Sequence, residues 1–434
     1  MNLHGSMSIR NNNLYIGEIN SLDLAREFGT PLYVMDEELI RRNCRRYLKA
    51  MKSQRGNKVA YAGKAFLTIA MAQIVKEEGL CLDVVSGGEL YTAYTSGFPM
   101  EKIYFHGNNK TLEEIHMGLK FKVGTFVVDN FTELDNINRL CESLNTKQDV
   151  ILRVIPGIEA HTHDYIRTGQ VDSKFGFSLL ENNLFKAVER ISTLENINLK
   201  GLHCHIGSQI FEIEPYRDSV KIMMGLMKEI KERFNIELRE LNLGGGFGIH
   251  YSLEDKPREI EEYCSAILEE VEAYCSDNGC KIPKLIIEPG RSIVGNSGIT
   301  LYTIGGVKDI PNIKTYVSVD GGMTDNIRPS LYSAKYECLI ANKAENTTKG
   351  SVTISGKCCE SGDVLINDTL LPKVQAGDTL AVMSTGAYCY SMSSNYNKIP
   401  KAPVVLVRFN EVKLICKRES YEDMLKNELG LRAI

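Results

Sequence analysis

From residue 58 onward the chain alternates short apolar runs with stretches of helical periodicity, and that alternation restricts the folds open to it. Strand-compatible runs fall at 58–62, 82–85, 103–105, 125–128, 150–154, 200–203, 240–243 and 285–288. Helical patterns separate them, among them 68–78, 131–144, 216–234 and 260–277. Eight strands alternating with helices over about 250 residues are the count expected of a closed parallel (β/α)8 barrel.

The texture changes on either side of this block. Residues 1–35 hold two short β-like pieces, Leu14–Ile16 and Leu32–Val34, around a helical pattern from Leu22 to Phe28 that Gly29-Thr30-Pro31 ends. After residue 297 the long helical patterns stop. Pieces at Ile299–Ile304, Thr315–Val319, Leu380–Val382 and Val404–Phe409 are broken by Gly, Asn, Asp and Pro, and a short helical pattern, Tyr421 to Leu429, closes the chain. The expected fold class is α/β plus all-β, a TIM-like barrel with a C-terminal β-sandwich or β-barrel domain. Its expected parts are an N-terminal segment, 1–35, packed with the β domain, a barrel over 36–296, and the β domain over 297–434. A chain of 434 residues exceeds one typical core, in keeping with two domains.

The net charge of −4, with no basic block, gives no footing for a nucleic-acid or membrane-surface partner. No run is long and apolar enough to span a bilayer, and no basic-then-apolar leader is present, so a cytoplasmic protein is expected. The twelve cysteines are irregularly spaced and read as reduced thiols. No C-x-x-C pair suggests zinc, and no metal is expected.

Unusual residues collect where the strands end. Lys64 follows Val59, Ala60, Tyr61, Ala62 and a glycine, which puts one amine at the C-terminal end of a buried strand. Partial desolvation there lowers the pKa of an amine and suits it to Schiff-base chemistry, although a lone lysine in such a place is more often solvated. The second strand brings Asp83 and then Ser86-Gly87-Gly88-Glu89, the third His106 to Lys110, the fourth Asp129-Asn130, and the fifth Arg153 and then Glu159-Ala160-His161. The sixth leads into His203-Cys204-His205-Ile206-Gly207-Ser208, the seventh into Gly244-Gly245-Gly246, and the eighth into Glu288-Pro289-Gly290-Arg291. Barrel enzymes build their sites on this face, often with phosphate at the last two loops.

Each of these residues has a functional and a structural reading. Gly244 to Gly246 let backbone N–H groups approach a phosphate, helped by a following helix start, or simply make a tight turn. Arg291 offers a fixed cation for a phosphate or carboxylate, or a surface ion pair. Glu288, leaving the barrel interior, needs a partner: a protonated pyridine nitrogen, or a neighbouring Lys or Arg. His205, one alternation beyond His203, stacks on a planar ring or serves as a bonded core histidine. In the β domain, Asp320 to Arg328 with Tyr332, Cys358-Cys359-Glu360 and Gly386 to Tyr390 form a second set. There, Cys359 beside Glu360 pairs a thiol donor with an amine-binding carboxylate, unless the cysteines are simply packed apolar groups.

The ordered series YAGKAF, DVVSGGEL, FHGNNKT, VDN, LRVIPGIEAHTHDYIRTG, DSKFGF, GLHCHIGSQ, NLGGGFGI, EPGRSIVG, DGGMTDNIRPSLY, GKCCESGD and GAYCYSMSSNYN resembles the diaminopimelate decarboxylases, fold-type III pyridoxal phosphate enzymes of lysine biosynthesis. A dozen motifs in order between residue 61 and about residue 397 make the resemblance specific. It implies pyridoxal 5'-phosphate as cofactor, attached to Lys64, with His205 stacked on the ring and Glu288 on its nitrogen. Asp83, Ser208, Gly244, Gly245, Gly246, Gly290, Arg291 and Tyr388 are implied as further cofactor contacts. Cys359 is implied as proton donor, and Arg291, Arg328, Tyr332, Glu360 and Tyr388 as substrate contacts.

The same resemblance implies a homodimer in which the Cys-Glu pair reaches into the partner's site. The substrate it implies is meso-2,6-diaminopimelate, decarboxylated at its D-centre to L-lysine and carbon dioxide. The rival reading is a decarboxylase of basic amino acids or carboxynorspermidine, whose substrates call for carboxylates at the distal end in place of Arg328. An amino-acid racemase, with a similar barrel, has no use for Glu288 on a pyridine nitrogen.

Overall fold

The eight expected strands form, and they close. In the computed structural model, which describes residues 2–52, 56–158, 173–348 and 350–431, the ring runs in chain order. Its strands are Lys58–Ala62, Cys81–Val84, Ile103–Phe105, Thr125–Val128, Gln148–Ile155, Ile197–His203, Glu240–Asn242 and Lys284–Ile287. All neighbours are parallel, and the last strand pairs back onto the first through Ile286↔Lys58 and Ile287↔Val59.

Ala60, Cys81, Tyr104, Val127, Ile151 and Ile286 fill the ring's interior, the large groups set against small ones. Each fully buried aliphatic or aromatic side chain there contributes about 1.5–3 kcal/mol of transfer free energy. The unit built around this ring comprises Arg41–Ile249 and Lys256–Ser292.

The helices between strands start where short polar residues cap them. Ser86 accepts from the Glu89 N–H ahead of Gly87–Thr95. Thr111 and Glu114 form a reciprocal box at the start of Leu112–Lys120, and Asn130 accepts from the Glu133 N–H ahead of Phe131–Ser143. Ser86 and Asn130, met in the sequence among the polar residues at strand ends, thus serve the helices. Lys110 is likewise structural: its ammonium is held by the Gly107 and Val127 carbonyls and the Glu133 carboxylate.

The second unit comprises Met1–Ile40, His250–Asp255 and Ile293–Ile434. Its backbone is Gly298–Ile310, a strand of 13 residues whose register shifts between Ile304 and Gly306. Before the shift it pairs antiparallel with Leu32–Asp36 and Thr379–Val382, and beyond it with Lys314–Val319. A bulge of this kind lets one strand serve two sheet regions. Leu32–Asp36 also pairs in parallel with Val404–Arg408, which ties the N-terminal segment into this unit. Its core includes Leu14, Leu24, Val34, Leu301, Leu339, Ala381, Val405 and Val407. The β unit therefore matches the all-β domain expected after the barrel.

Candidate active site

Glu288 follows the eighth barrel strand and is 6% exposed. Its carboxylate is met from three other strands. His106 Nε2 lies 2.8 Å from Oε1, Asn242 Nδ2 donates to the same oxygen at 2.6 Å, and His203 Nε2 lies 3.1 Å from Oε2. Burial pushes the Glu288 pKa up, but the interactions with His106 and His203 outweigh it and hold the carboxyl well below the usual range. Burial drives the His203 imidazole down to about 4. It is therefore neutral at pH 7 and, with a carboxylate against Nε2, carries its proton there. Partners are thus two imidazoles and an amide, not the Lys or Arg of the structural reading.

Asp83, in the second strand, lies nearby, its Oδ1 at 3.7 Å from His106 and without a hydrogen-bond partner. Burial raises its pKa to about 6. His205 receives the Gly245 N–H on Nδ1 at 3.3 Å, which leaves Nε2 as its protonated nitrogen. Burial, reinforced by the Lys64 and Arg153 charges, keeps that ring neutral.

Gly244 to Gly246 pass close to other backbone on every side. A Cβ at Gly245 would fall 2.2 Å from the Glu288 carbonyl oxygen, and one at Gly246, at φ +102°, would fall 2.5 Å from the Gly207 carbonyl. No side chain fits, and the backbone itself lines the turn. Next to it, the Arg291 guanidinium, 6% exposed, donates to Ser208 Oγ at 2.9 Å. Gly290 lets the last strand end lie against Ala62, since a Cβ there would sit 3.0 Å from the Ala62 Cβ.

No helix starts directly after the glycines, since the next one, Ile260–Asn278, begins well downstream, and the turn therefore offers only its own N–H groups. One expectation changes here: Lys64 is exposed, because the strand ends at Ala62 and the turn Gly63–Ala65 carries the lysine out of the apolar layer while Gly63 and Ala65 stay buried. Its charge still reaches Asp83, Glu89 and His205.

The β unit holds the other candidates. Arg328, 7% exposed, opens the short helix Arg328–Tyr332, with its guanidinium 5.2 Å from the Tyr332 ring centre and 5.3 Å from that of Tyr388. Its Nε donates to the Tyr336 hydroxyl at 3.0 Å. Burial lowers the Arg328 pKa, but the surrounding phenols and Cys389 more than reverse this, so the group is a fixed cation. Tyr388 adopts a positive φ of 63°. Cys359 and Glu360 are exposed on the loop after Gly350–Ser355, and Ser330 of the Arg328 helix donates to the Gly362 carbonyl of that loop at 2.7 Å. Cys358 is buried, with its N–H given to Asp363. Residues 159–172, with Glu159, Ala160 and His161, lie outside the described residues.

Sequence reasoning gave His106, Asn242, Arg153 and Tyr336 no role. Their signal was present for the barrel three, since each sits at or just past a strand end, but only closure of the ring shows that His106 and Asn242 converge on Glu288.

An ionised carboxylate in the barrel mouth, a neutral imidazole beside it and a cation next to a side-chain-free turn suit a ring protonated at nitrogen and phosphorylated at its far end. This defines the class: a barrel enzyme that holds pyridoxal phosphate. Residues 37–295 match the family model described as pyridoxal-dependent decarboxylase, pyridoxal binding domain.

Over 438 aligned residues the chain is 50% identical to the diaminopimelate decarboxylase of Bacillus subtilis, covering 100% of this chain and 99% of that one. The crystal structure of diaminopimelate decarboxylase from M. jannaschii is similar at 37% identity and a TM-score of 0.92 over 98% of both chains, as is its co-complex with L-lysine. The chain belongs to the diaminopimelate decarboxylase family, and its cofactor is pyridoxal phosphate. The residues present fit that cofactor: Lys64 for its aldehyde carbon, His205 for the ring face, Glu288 for the nitrogen, and Ser208, Gly244 to Gly246 and Arg291 for the phosphate. Among the described residues no helix is long and apolar enough to cross a membrane.

Proposed function

We propose that the chain decarboxylates meso-2,6-diaminopimelate at its D-centre, giving L-lysine and carbon dioxide, and that it does so as a cytoplasmic homodimer. The observation that carries this reading is the full-length identity with diaminopimelate decarboxylases, which spans the barrel and the β unit alike. Twelve free thiols suit a reducing compartment.

When bound, pyridoxal phosphate supplies an electron sink for the pair left behind as the carboxylate departs. The chain's own groups do the rest. Lys64 would supply the amine that anchors the cofactor. Glu288, ionised and held from three sides, keeps a proton on the ring nitrogen. His205, neutral, would lie against the ring face, and Asp83, Gly290 and Tyr388 would be further cofactor contacts.

Arg328, with Tyr332, holds the substrate's distal carboxylate, and Glu360 its distal amine; Arg291 and Tyr388 touch substrate as well as cofactor. The thiol of Cys359 delivers a proton to the carbon that has lost its carboxylate. We assign Cys359 and Glu360 to the site of the second copy, because both stand exposed on their loop with an acid and a carboxylate to offer.

Supplying the purified holoenzyme with meso-diaminopimelate, lysine, ornithine and arginine, and following carbon dioxide and product, tests the reading. Release from diaminopimelate alone supports it. Preferential release from ornithine or arginine would move the substrate to a basic amino acid and remove Arg328 from its role.

A further inference from the structure

Asn242, the last residue of the seventh barrel strand, is completely buried and uses both ends of its amide. Nδ2 donates to Glu288 Oε1 at 2.6 Å, and Oδ1 accepts the Gly244 N–H at 3.0 Å. The Glu288 N–H in turn donates to the Gly244 carbonyl at 2.8 Å. The Gly244 peptide is thereby clamped on both sides, at a φ of +65° where a Cβ would fall 2.7 Å from the Cys204 carbonyl. One amide therefore spans the carboxylate that faces the ring nitrogen and the turn that receives the phosphate. His106 and His203 bond the carboxylate, and His205 accepts a hydrogen bond from the turn.

We infer that Asn242 is a positioning residue that ties the nitrogen end of the pyridoxal phosphate site to its phosphate end, keeping the proton on the ring while fixing the glycine turn. The inference rests on the assignment of Glu288 to the ring nitrogen. Its chemistry is direct. Each donor on Glu288 disfavours protonation of the carboxyl, so the proton shared between carboxylate and ring stays on the ring. The Oδ1 acceptor satisfies a buried N–H that otherwise has to turn elsewhere, and so holds the neighbouring peptides where they face the phosphate.

The test uses holoenzyme loaded with pyridoxal phosphate carrying an isotope-labelled ring nitrogen. Its NMR shift reads ring protonation without turnover. Dissociation constants for pyridoxal phosphate and for pyridoxal, which lacks the phosphate, read the turn. Asn242→Leu, with its fold checked by circular dichroism, is expected to move the nitrogen signal part of the way toward the unprotonated position. It is also expected to lower the preference for the phosphorylated form by roughly threefold to tenfold, the worth of one such hydrogen bond.

Glu288→Gln should move the signal and leave the preference alone. In the double variant the leucine should add nothing to the signal shift yet still lower the preference, because Asn242 acts on the ring only through Glu288. A folded Asn242→Leu protein with wild-type signal and wild-type preference overturns the inference. If Glu288→Gln leaves the signal in place, it is the assignment of Glu288 that fails, and the nitrogen half of the inference falls with it. Should the leucine variant not fold, Asn242→Ala removes the same two hydrogen bonds without adding a second carboxyl group: a moved signal with a lowered phosphate preference supports the inference, and an unmoved signal or a wild-type preference overturns it.

Discussion

Arg328 places a full charge in a nearly closed pocket of two tyrosine rings, with a third phenol on its Nε. A guanidinium so arranged keeps its remaining N–H groups for a planar, bidentate partner, which a carboxylate is and an ammonium is not. Arg328→Lys retains the charge and loses the fork, so kcat/KM for diaminopimelate should fall by roughly 30-fold to 100-fold, the worth of one charged hydrogen bond. The loss should lie mainly in KM, because the distal carboxylate is remote from the reacting carbon. Steady-state kinetics decide it, and an unchanged KM would remove the residue from substrate binding.

Asp325 shows the other side of burial. It is 2% exposed and accepts the Gly322 N–H, and burial raises its pKa to about 7. A raised folded-state pKa favours the protonated form on folding. The resulting stability is complete below the ordinary carboxyl pKa and is lost as pH rises through about 7. Asp325→Asn is neutral throughout, so the difference in denaturant midpoint between about pH 5 and pH 8 should be smaller in the variant than in the wild type. Equal differences would show that Asp325 ionises freely in the folded protein.

At the scale of elements, the barrel was legible because short, mostly apolar strands alternate with stretches of helical periodicity, several of which open on a capping residue. Local pattern was enough to locate Lys58–Ala62, Ile103–Phe105 and Thr125–Val128 almost to the residue. Long-range pairing was not legible in the same way. Nothing in Leu32–Asp36 announces a parallel partner at Val404–Arg408, and nothing in His250–Asp255 announces membership of the β unit. The site follows the same division. Lys64, Glu288 and the glycines stood out by type and place, whereas His106 and Asn242 acquire meaning only when the third and seventh strands are brought around the eighth.

The glycine turn yields a prediction of its own. Gly245→Ala drives a methyl to 2.2 Å from the Glu288 carbonyl, backbone that cannot swing aside as a side chain can. The turn must shift as a unit, so cofactor affinity should fall by at least tenfold, with a loss of stability of about 1–3 kcal/mol. Binding titration and thermal unfolding check the two effects, and wild-type affinity would show that the turn is not the phosphate seat.

For the whole molecule, the decisive question is which copy supplies which group. Most of the proposed cofactor contacts lie on the barrel, and Cys359 and Glu360 stand exposed on a loop of the β unit. If each site combines the barrel of one copy with the Cys-Glu loop of the other, two inactive proteins can repair one another. Lys64→Ala has intact loops and dead barrels; Cys359→Ala has intact barrels and dead loops. After exchange of subunits, a mixed dimer holds one site with both defects and one with neither. Random exchange of equal amounts makes half the dimers mixed, so the mixture should recover about a quarter of the wild-type activity. If each site were assembled within one chain, every site in the mixture would keep one defect and the mixture would be no more active than its parts. The same measurement at graded mixing ratios should peak at equal amounts, since only mixed dimers contribute, and that maximum separates true exchange from slow reactivation of either variant.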